Sequence, residues 1–386
     1  MIICPEDICT GCCSCMNACS VNAITMRENK YGEFVPVIDE NICINCGKCV
    51  KTCPNNTKVE QVKPVKTYAA WVDDSKKSPL CASGGIASLF SEYIINNEGV
   101  VYGTAFDDNL VPKCTRIDNL DGLELLKGSK YVQSYVGSTY ADVKKDLNNG
   151  VLVLFISTPC QVAGLLNFLH KHYDNLITVD LVCHGVPPTK YFLEEISFLQ
   201  KENKLDRITN CRFRGKCSEY RLTLWNKDEK LFDEDCYCQP YFAGFINGLS
   251  LRQSCNHCIY SSPTRISDIT LGDFIGLGDK SPFNHAVDYV SLVLLNNSKS
   301  VALWNQVSSN NTVNFEERDF DEAYNGGISL RRPIERHKKR DKFQDVYTQY
   351  GFSAAIRKVM KNKFHRPKKP FVVRAWRRFV RLFSIK

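Results

Sequence analysis

The chain has 386 residues and 20 cysteines, a length that exceeds one small carrier domain and supplies enough chain for a large core in two or three domains. A disulfide scaffold would need a short secreted chain, whereas no basic and apolar leader precedes Cys4 and no run approaches about 18 apolar residues, so secreted and membrane-spanning classes are set aside in favour of a reducing cytoplasm. The net charge of +8 is concentrated at one end, where residues 331–386 hold 19 Lys+Arg against 3 Asp+Glu; a mildly acidic body with a basic tail is not the pattern of a general nucleic-acid binder.

The chain opens on Cys9, Cys12, Cys15 and Cys19 at C-x2-C-x2-C-x3-C spacing, and Cys43, Cys46, Cys49 and Cys53 repeat it. That doubled run is the signature of a bacterial-type ferredoxin domain with two 4Fe-4S clusters. Three closely spaced thiolates curl round three corners of a cubane and the fourth comes from farther away. In such pairs the last cysteine of each run serves the other cluster, which predicts the sets Cys9, Cys12, Cys15, Cys53 and Cys43, Cys46, Cys49, Cys19. The first run closes on Ser20 where proline is usual, which removes no ligand. Cys4 and Cys13 fit neither register and read as bystanders.

Residues 1–58 form this unit, and the polar segment 55–67 with Pro64 reads as a linker. Beyond Ser83-Gly84-Gly85 the pattern predicts a helix over 86–95 and a strand over 100–106. The apolar run 151–156 is the mark of a strand buried on both faces. Thr158 and Pro159 then cap and open a helix reaching about residue 171. A second buried strand over 176–182 ends at Cys183-His184-Gly185, and another helix follows Pro188.

If the two buried strands are parallel neighbours joined by the crossover helix, their carboxyl ends share one sheet edge, where open α/β sheets bind ligands. Cys160 and Cys183 stand at those ends. Cys160 also begins a helix, whose dipole favours a thiolate. Two buried structural cysteines are the bland alternative. Cys255 and Cys258 supply a further C-x2-C after a helical stretch around 241–251, so two pairs make a third tetrathiolate site. Zinc fits the count equally, but only a third 4Fe-4S cluster would exchange electrons with the other two.

At Ser83-Gly84-Gly85, Lys127 to Ser134, Thr158-Pro159-Cys160-Gln161, Cys183 to Pro187, Cys255-x2-Cys258 and Ser267 to Phe274, the chain resembles the family of coenzyme F420 hydrogenase/dehydrogenase beta subunits. The likeness runs to about residue 300. It implies FAD and an iron-sulfur flavoprotein oxidoreductase that couples two-electron chemistry to single-electron transfer. The expected partners are ferredoxin or another redox protein and a small-molecule or deazaflavin substrate. An electron-transfer adaptor for a partner enzyme, as in bacterial polysaccharide biosynthesis, is the alternative.

Within that resemblance, Ser83, Gly84 and Gly85 at a helix start suit a pyrophosphate, Lys130 adds a charge, Tyr131 stacks, Gln133 hydrogen-bonds, and Asp273 supports flavin and cluster. A plain helix cap is the alternative for Ser83-Gly84-Gly85. Cys81-Ala82, Ser157 and Ile275 depart from the family pattern, and Ile275 alters the surface against which a planar substrate would stack. No catalytic residue is assigned; His184 reads equally as a proton relay or a turn histidine. Cys211, Cys217, Cys236 and Cys238 lack cluster spacing and read as structural or free thiols.

In the tail, Val372, Trp376, Phe379 and Phe383 recur at helical spacing with Arg374, Arg378 and Arg381 on another face. Such a helix can lie on an anionic membrane surface or dock on protein, so peripheral contact with the inner face of the membrane is one expectation. The fold class expected is α+β / α/β: a ferredoxin-like domain (1–58), an α/β flavin-binding domain with a mixed sheet (68–330) and a basic helical tail (331–386).

Overall fold

The computed structural model describes residues 1–73, 80–215, 220–285, 287, 289–309 and 313–360. Cys217 and the amphipathic stretch of the tail lie outside the described residues. No described helix is long and apolar enough to cross a membrane.

The N-terminal unit consists of α1 (Ser14–Asn17), the hairpin β1 (Ile24–Glu28) and β2 (Phe34–Ile38), and α2 (Lys48–Lys51). The hairpin pairs antiparallel from Ile24↔Ile38 to Glu28↔Phe34. In each cysteine run the residues on either side of the second cysteine are left-handed: Gly11 (φ 64°) and Cys13 (φ 63°) in the first, Asn45 (φ 53°) and Gly47 (φ 72°) in the second. Alternating left- and right-handed residues turn successive N–H groups into one concavity, the nest that binds anionic groups and iron-sulfur centres. Cys13 therefore holds the backbone position that Gly47 holds in the second run. Its thiol points away into a hydrophobic cluster with Val136 and Tyr140, as a packing residue.

The body is built on β3 (Lys66–Val72), α3 (Ile86–Asn96), β4 (Val100–Phe106), β5 (Pro112–Ile117), α4 (Leu120–Leu126), α5 (Thr139–Asn148), β6 (Val153–Ser157), α6 (Pro159–Leu169), β7 (Leu176–Leu181) and α7 (Thr189–Glu202). There follow β8 (Asn210–Arg214), β9 (Tyr220–Asn226), β10 (Glu229–Asp235), α8 (Pro240–Ile246), β11 (Ile269–Asp273), β12 (Ser291–Leu295), α9 (Ser298–Ser308), β13 (Val313–Glu317), α10 (Phe320–Gly326) and α11 (Arg340–Val359). Among the described residues one mixed sheet runs β13-β3-β12-β11-β7-β6-β4-β5, with β4, β6, β7 and β11 mutually parallel and the other pairings antiparallel. The strands on either side of α6 are parallel neighbours, in register from Val153↔Leu176 to Ser157↔Asp180.

Successive side chains of a strand face opposite sides of the sheet. Val101 and Leu154 accordingly pack with Phe90, Ile94 and Trp304 of α3 and α9. Tyr102, Val153 and Phe155 pack with Val143, Val162 and Leu165 of α5 and α6. Burial on both faces is why β6 reads as a continuous apolar run. The helical stretch expected around 241–251 ends at Ile246, where Gly248 turns left-handed (φ 68°). A second sheet, β10-β9-β8, shares another core with α7, α8 and α11. There Glu195 is fully buried and accepts two hydrogen bonds from Arg357 (2.8 and 2.9 Å) and one from Ser353 (2.7 Å).

The N-terminal unit is fastened to the body by side chains that bind backbone oxygens. Ser14 Oγ donates to Gly164 O (2.9 Å), Asn17 Nδ2 to Gly137 O (2.7 Å), Gln133 Nε2 to Thr10 O (3.2 Å) and Asn167 Nδ2 to Thr57 O (2.7 Å). Gly164 is required by close approach: a Cβ there would stand 3.1 Å from Cys12 Sγ and 2.8 Å from the Tyr140 hydroxyl. Gly164→Val is expected to destabilise the chain by roughly 1–3 kcal/mol through overpacking. It should also lower iron loading of the first cluster set, read by thermal unfolding beside iron analysis.

Candidate iron-sulfur and redox site

Cys9, Cys12, Cys15 and Cys53 line one cavity in the N-terminal unit, and Cys19 is not among its walls. The first set expected from the crossed fourth ligand is thus gathered in one place. Cys4 lines the same cavity beside Cys9 and Cys53. Their mutual proximity lowers Cys9 and Cys53 and raises Cys4. Spacing alone gives Cys4 no role; the hydrophobic packing of Ile3 beneath the unit brings it there.

Around α2, burial raises the Cys49 thiol, with the charges of Cys46 and Cys19 adding to it. Cys19 accepts a backbone hydrogen bond from Ala23 N (3.2 Å). Cys46 is exposed, as are Ile42 and Ile44 beside it, so this set faces solvent and the first set does not.

The third set lies at the carboxyl edge of the large sheet. Cys160 opens α6 with Pro159 at its first turn, and Cys183 follows β7. Cys255 lies in a 3-10 turn, Gln253–His257, and Cys258 ends it. Gly185 is left-handed (φ 122°), and a Cβ there would stand 3.2 Å from Cys255 Cβ, so only glycine lets the Cys183 and Cys255 loops close together. Burial pushes Cys160 up to about 12, with the Cys258 charge next, and Cys183 likewise to about 12, with Cys160 next. Burial and the neighbouring thiols oppose the thiolate that the start of α6 favours. Crowded, buried thiols that raise one another become thiolates only around a cationic core, which suits a metal cluster's donor set.

Cys160 and Gly164 lie four residues apart on α6, hence on one face, and Gly164 abuts Cys12. One helical turn thus separates the third set from the first. Burial raises the Tyr260 hydroxyl, with the charges of Cys160, Cys12, Cys258 and Cys53 next, and that hydroxyl has no hydrogen-bond partner among the described residues. Among the described residues no three His, Cys, Asp or Glu close on a single ion position. That is no test of a cubane, whose thiolates stand at separate corners.

The loop of the second cysteine pair is anchored by Arg265. Its guanidinium donates to Asp180 Oδ1 at 2.6 Å, to Tyr260 O at 2.9 Å and to Thr270 Oγ1 at 3.2 Å, with both members of the ion pair buried. Asp180 is on β7, the strand that delivers Cys183.

The flavin candidates are dispersed. Gly85 caps α3 in the left-handed region, but Gly84 N–H donates to Ser291 Oγ (2.9 Å) and Ser83 Oγ to Val290 O (3.2 Å). A Cβ at Gly84 would lie 2.3 Å from Ala70 O, so this glycine serves packing on β3. Lys130 Nζ donates to the carbonyls of Leu125, Leu126 and Lys127 (3.0 Å each), capping α4, and burial lowers it to about 7. Gln133 binds Thr10 O and Arg252. Only Tyr131 and Asp273 meet, through Arg214, which donates to the Tyr131 hydroxyl (2.8 Å) and pairs with Asp273 (2.5 Å) beside Tyr220. His184 Nε2 is 3.2 Å from Phe245 O and its ring meets the Phe245 ring edge-on. Cys211 and Cys236 are buried in the core of the small sheet.

Residues 8–57 match the model of the 4Fe-4S dicluster domain, and residues 151–320 match that of the C terminus of the coenzyme F420 hydrogenase/dehydrogenase beta subunit. No curated protein matches. A solved structure of the F420-reducing nickel-iron hydrogenase complex from Methanosarcina barkeri aligns over 80% of this chain and 95% of its own, at 14% identity and a TM-score of 0.45. Residues 151–320 thus form a domain of the type found at the C terminus of coenzyme F420 hydrogenase/dehydrogenase beta subunits, with a 4Fe-4S dicluster domain ahead of it.

Proposed function

We propose that this protein is an iron-sulfur flavoprotein oxidoreductase that relays electrons between an organic substrate at the sheet edge and a redox protein at the exposed end of the N-terminal unit. The observation that carries the reading is the succession of three four-cysteine sets, from solvent-facing Cys46, through the enclosed set of Cys9, to the set of Cys160 and Cys183 where α/β sheets bind ligands. Exposed Ile42 and Ile44 beside Cys46 suit docking of ferredoxin or a similar carrier. The chain's residues would hold the clusters, exclude water from the inner two and keep the steps short.

A bound flavin would supply the exchange between electron pairs and single electrons. Tyr131, Arg214, Tyr220 and Asp273 offer ring faces, a cation and a carboxylate for it or for a deazaflavin-like substrate. The internal engagement of Gly84, Lys130 and Gln133 favours a second reading, an electron-transfer adaptor without its own flavin. Anaerobic purification is expected to yield about one FAD per chain, read by its visible spectrum and by chromatography after denaturation. A flavin-free chain with a full iron complement would select the adaptor.

A further inference from the structure

Arg252 is 1% exposed, and its guanidinium has no carboxylate partner among the described residues. It donates to three neutral oxygens: Nε to Cys9 O (2.9 Å), Nη1 to Gln133 Oε1 (3.0 Å) and Nη2 to Phe34 O (2.6 Å). The buried acid next to Phe34, Glu33, is engaged elsewhere, accepting from Gln253 N (2.8 Å) and facing Arg340 (3.6 Å). The backbone of Arg252 accepts from Cys255 N at 3.0 Å and donates to Val186 O at 2.8 Å, in the loop that follows Cys183. One residue thereby ties together the loops of Cys9, Cys183 and Cys255.

A guanidinium cannot shed its proton in a protein, so the charge is permanent. Burying it without an anion is strongly unfavourable. Three carbonyl-type oxygens satisfy its donors and leave its charge uncompensated. Its side chain touches the Cys9 carbonyl and its backbone touches Cys255, residues of two different sets. A cubane on four thiolates is anionic and gains one negative charge with each electron accepted.

We propose that Arg252 is the counter-cation shared by the first N-terminal cluster and the sheet-edge cluster, favouring the reduced form of both and keeping their potentials matched for transfer. The proposal rests on the reading that both cysteine sets hold clusters. Removing the cation disfavours the added electron, so both potentials fall; no proton is taken up.

The test uses the full-length chain, reconstituted anaerobically, with dithionite as electron donor and potentials followed by EPR. Arg252→Gln is expected to keep the wild-type iron content. It should shift the reduction equilibrium of two clusters at least tenfold against reduction, which is 59 mV for one electron, and leave the solvent-facing cluster unmoved. Arg252→Lys should reverse most of the shift, because it returns charge without the fork. Gln133→Glu leaves Arg252 in place but pairs its charge, and should lower the same two potentials even if Arg252→Gln fails to fold. Loaded variants with unchanged potentials, or with all three clusters shifted alike, would overturn the role of Arg252. Eight irons in the wild type would instead remove the third cluster, with the shift at the first still deciding whether Arg252 is its counter-charge.

Discussion

Replacing Cys255 by serine is expected to lower the iron of the anaerobically reconstituted protein from about twelve to about eight per chain, with acid-labile sulfide falling in step. The residual eight belong to the N-terminal pair, whose EPR signals should persist. The argument is one of donors: Cys255 lies in a short 3-10 turn closed against left-handed Gly185, which holds it beside the Cys183 loop. Serine keeps the volume but is a poor ligand for a thiolate cluster. A zinc site would give a different result in the wild type itself, with about eight irons and one zinc. Cys53→Ser and Cys19→Ser should each remove about four irons from opposite members of the N-terminal pair, since each run completes the other's set. Loss of the same signal in both variants would sink the crossed assignment.

Much of this arrangement is legible in the sequence because it is local. Spacing among Cys9, Cys12, Cys15 and Cys53 specifies a cubane, and the apolar run of β6, the Thr158-Pro159 start of α6 and the run of β7 specify a parallel crossover. Long-range contacts are what cannot be read. Gln133 reads as a flavin hydrogen-bonder from its family segment, yet its side chain lies between Thr10 and Arg252, more than a hundred residues away in either direction. Lys130 reads as a free charge until the carbonyl end of α4 is built beside it. Arg252 gives no signal at all, since a single arginine three residues before a cysteine is ordinary, and only burial without an acid makes it informative. The same holds for Cys4, which falls outside every register and still reaches Cys9 and Cys53.

Asp180→Ala is expected to cost about 3–5 kcal/mol, because it leaves the Arg265 guanidinium buried and unpaired. That is a large share of the roughly 5–15 kcal/mol of a typical domain. Arg265 is 1% and Asp180 0% exposed at the side chain, so water cannot replace the lost partner without opening the sheet edge. The effect should be uneven. Arg265 also holds Tyr260 O and bridges to Val62 through backbone hydrogen bonds of 2.8 Å in both directions, so its displacement loosens the segment after Cys258 and the start of the body together. Urea unfolding should therefore show the destabilisation, while iron analysis shows loss of about four irons from the sheet-edge set before any from the N-terminal pair. Asp180→Ala combined with Arg265→Met should recover much of the stability, since removing both charges removes the stranded one. If that double variant regains stability but not the third set of irons, the ion pair's chief contribution is to position the Cys255–Cys258 loop against Cys183. Recovery of both would make the pair a replaceable packing element, and a single-variant cost below about 1 kcal/mol would mean that the guanidinium finds water or another anion.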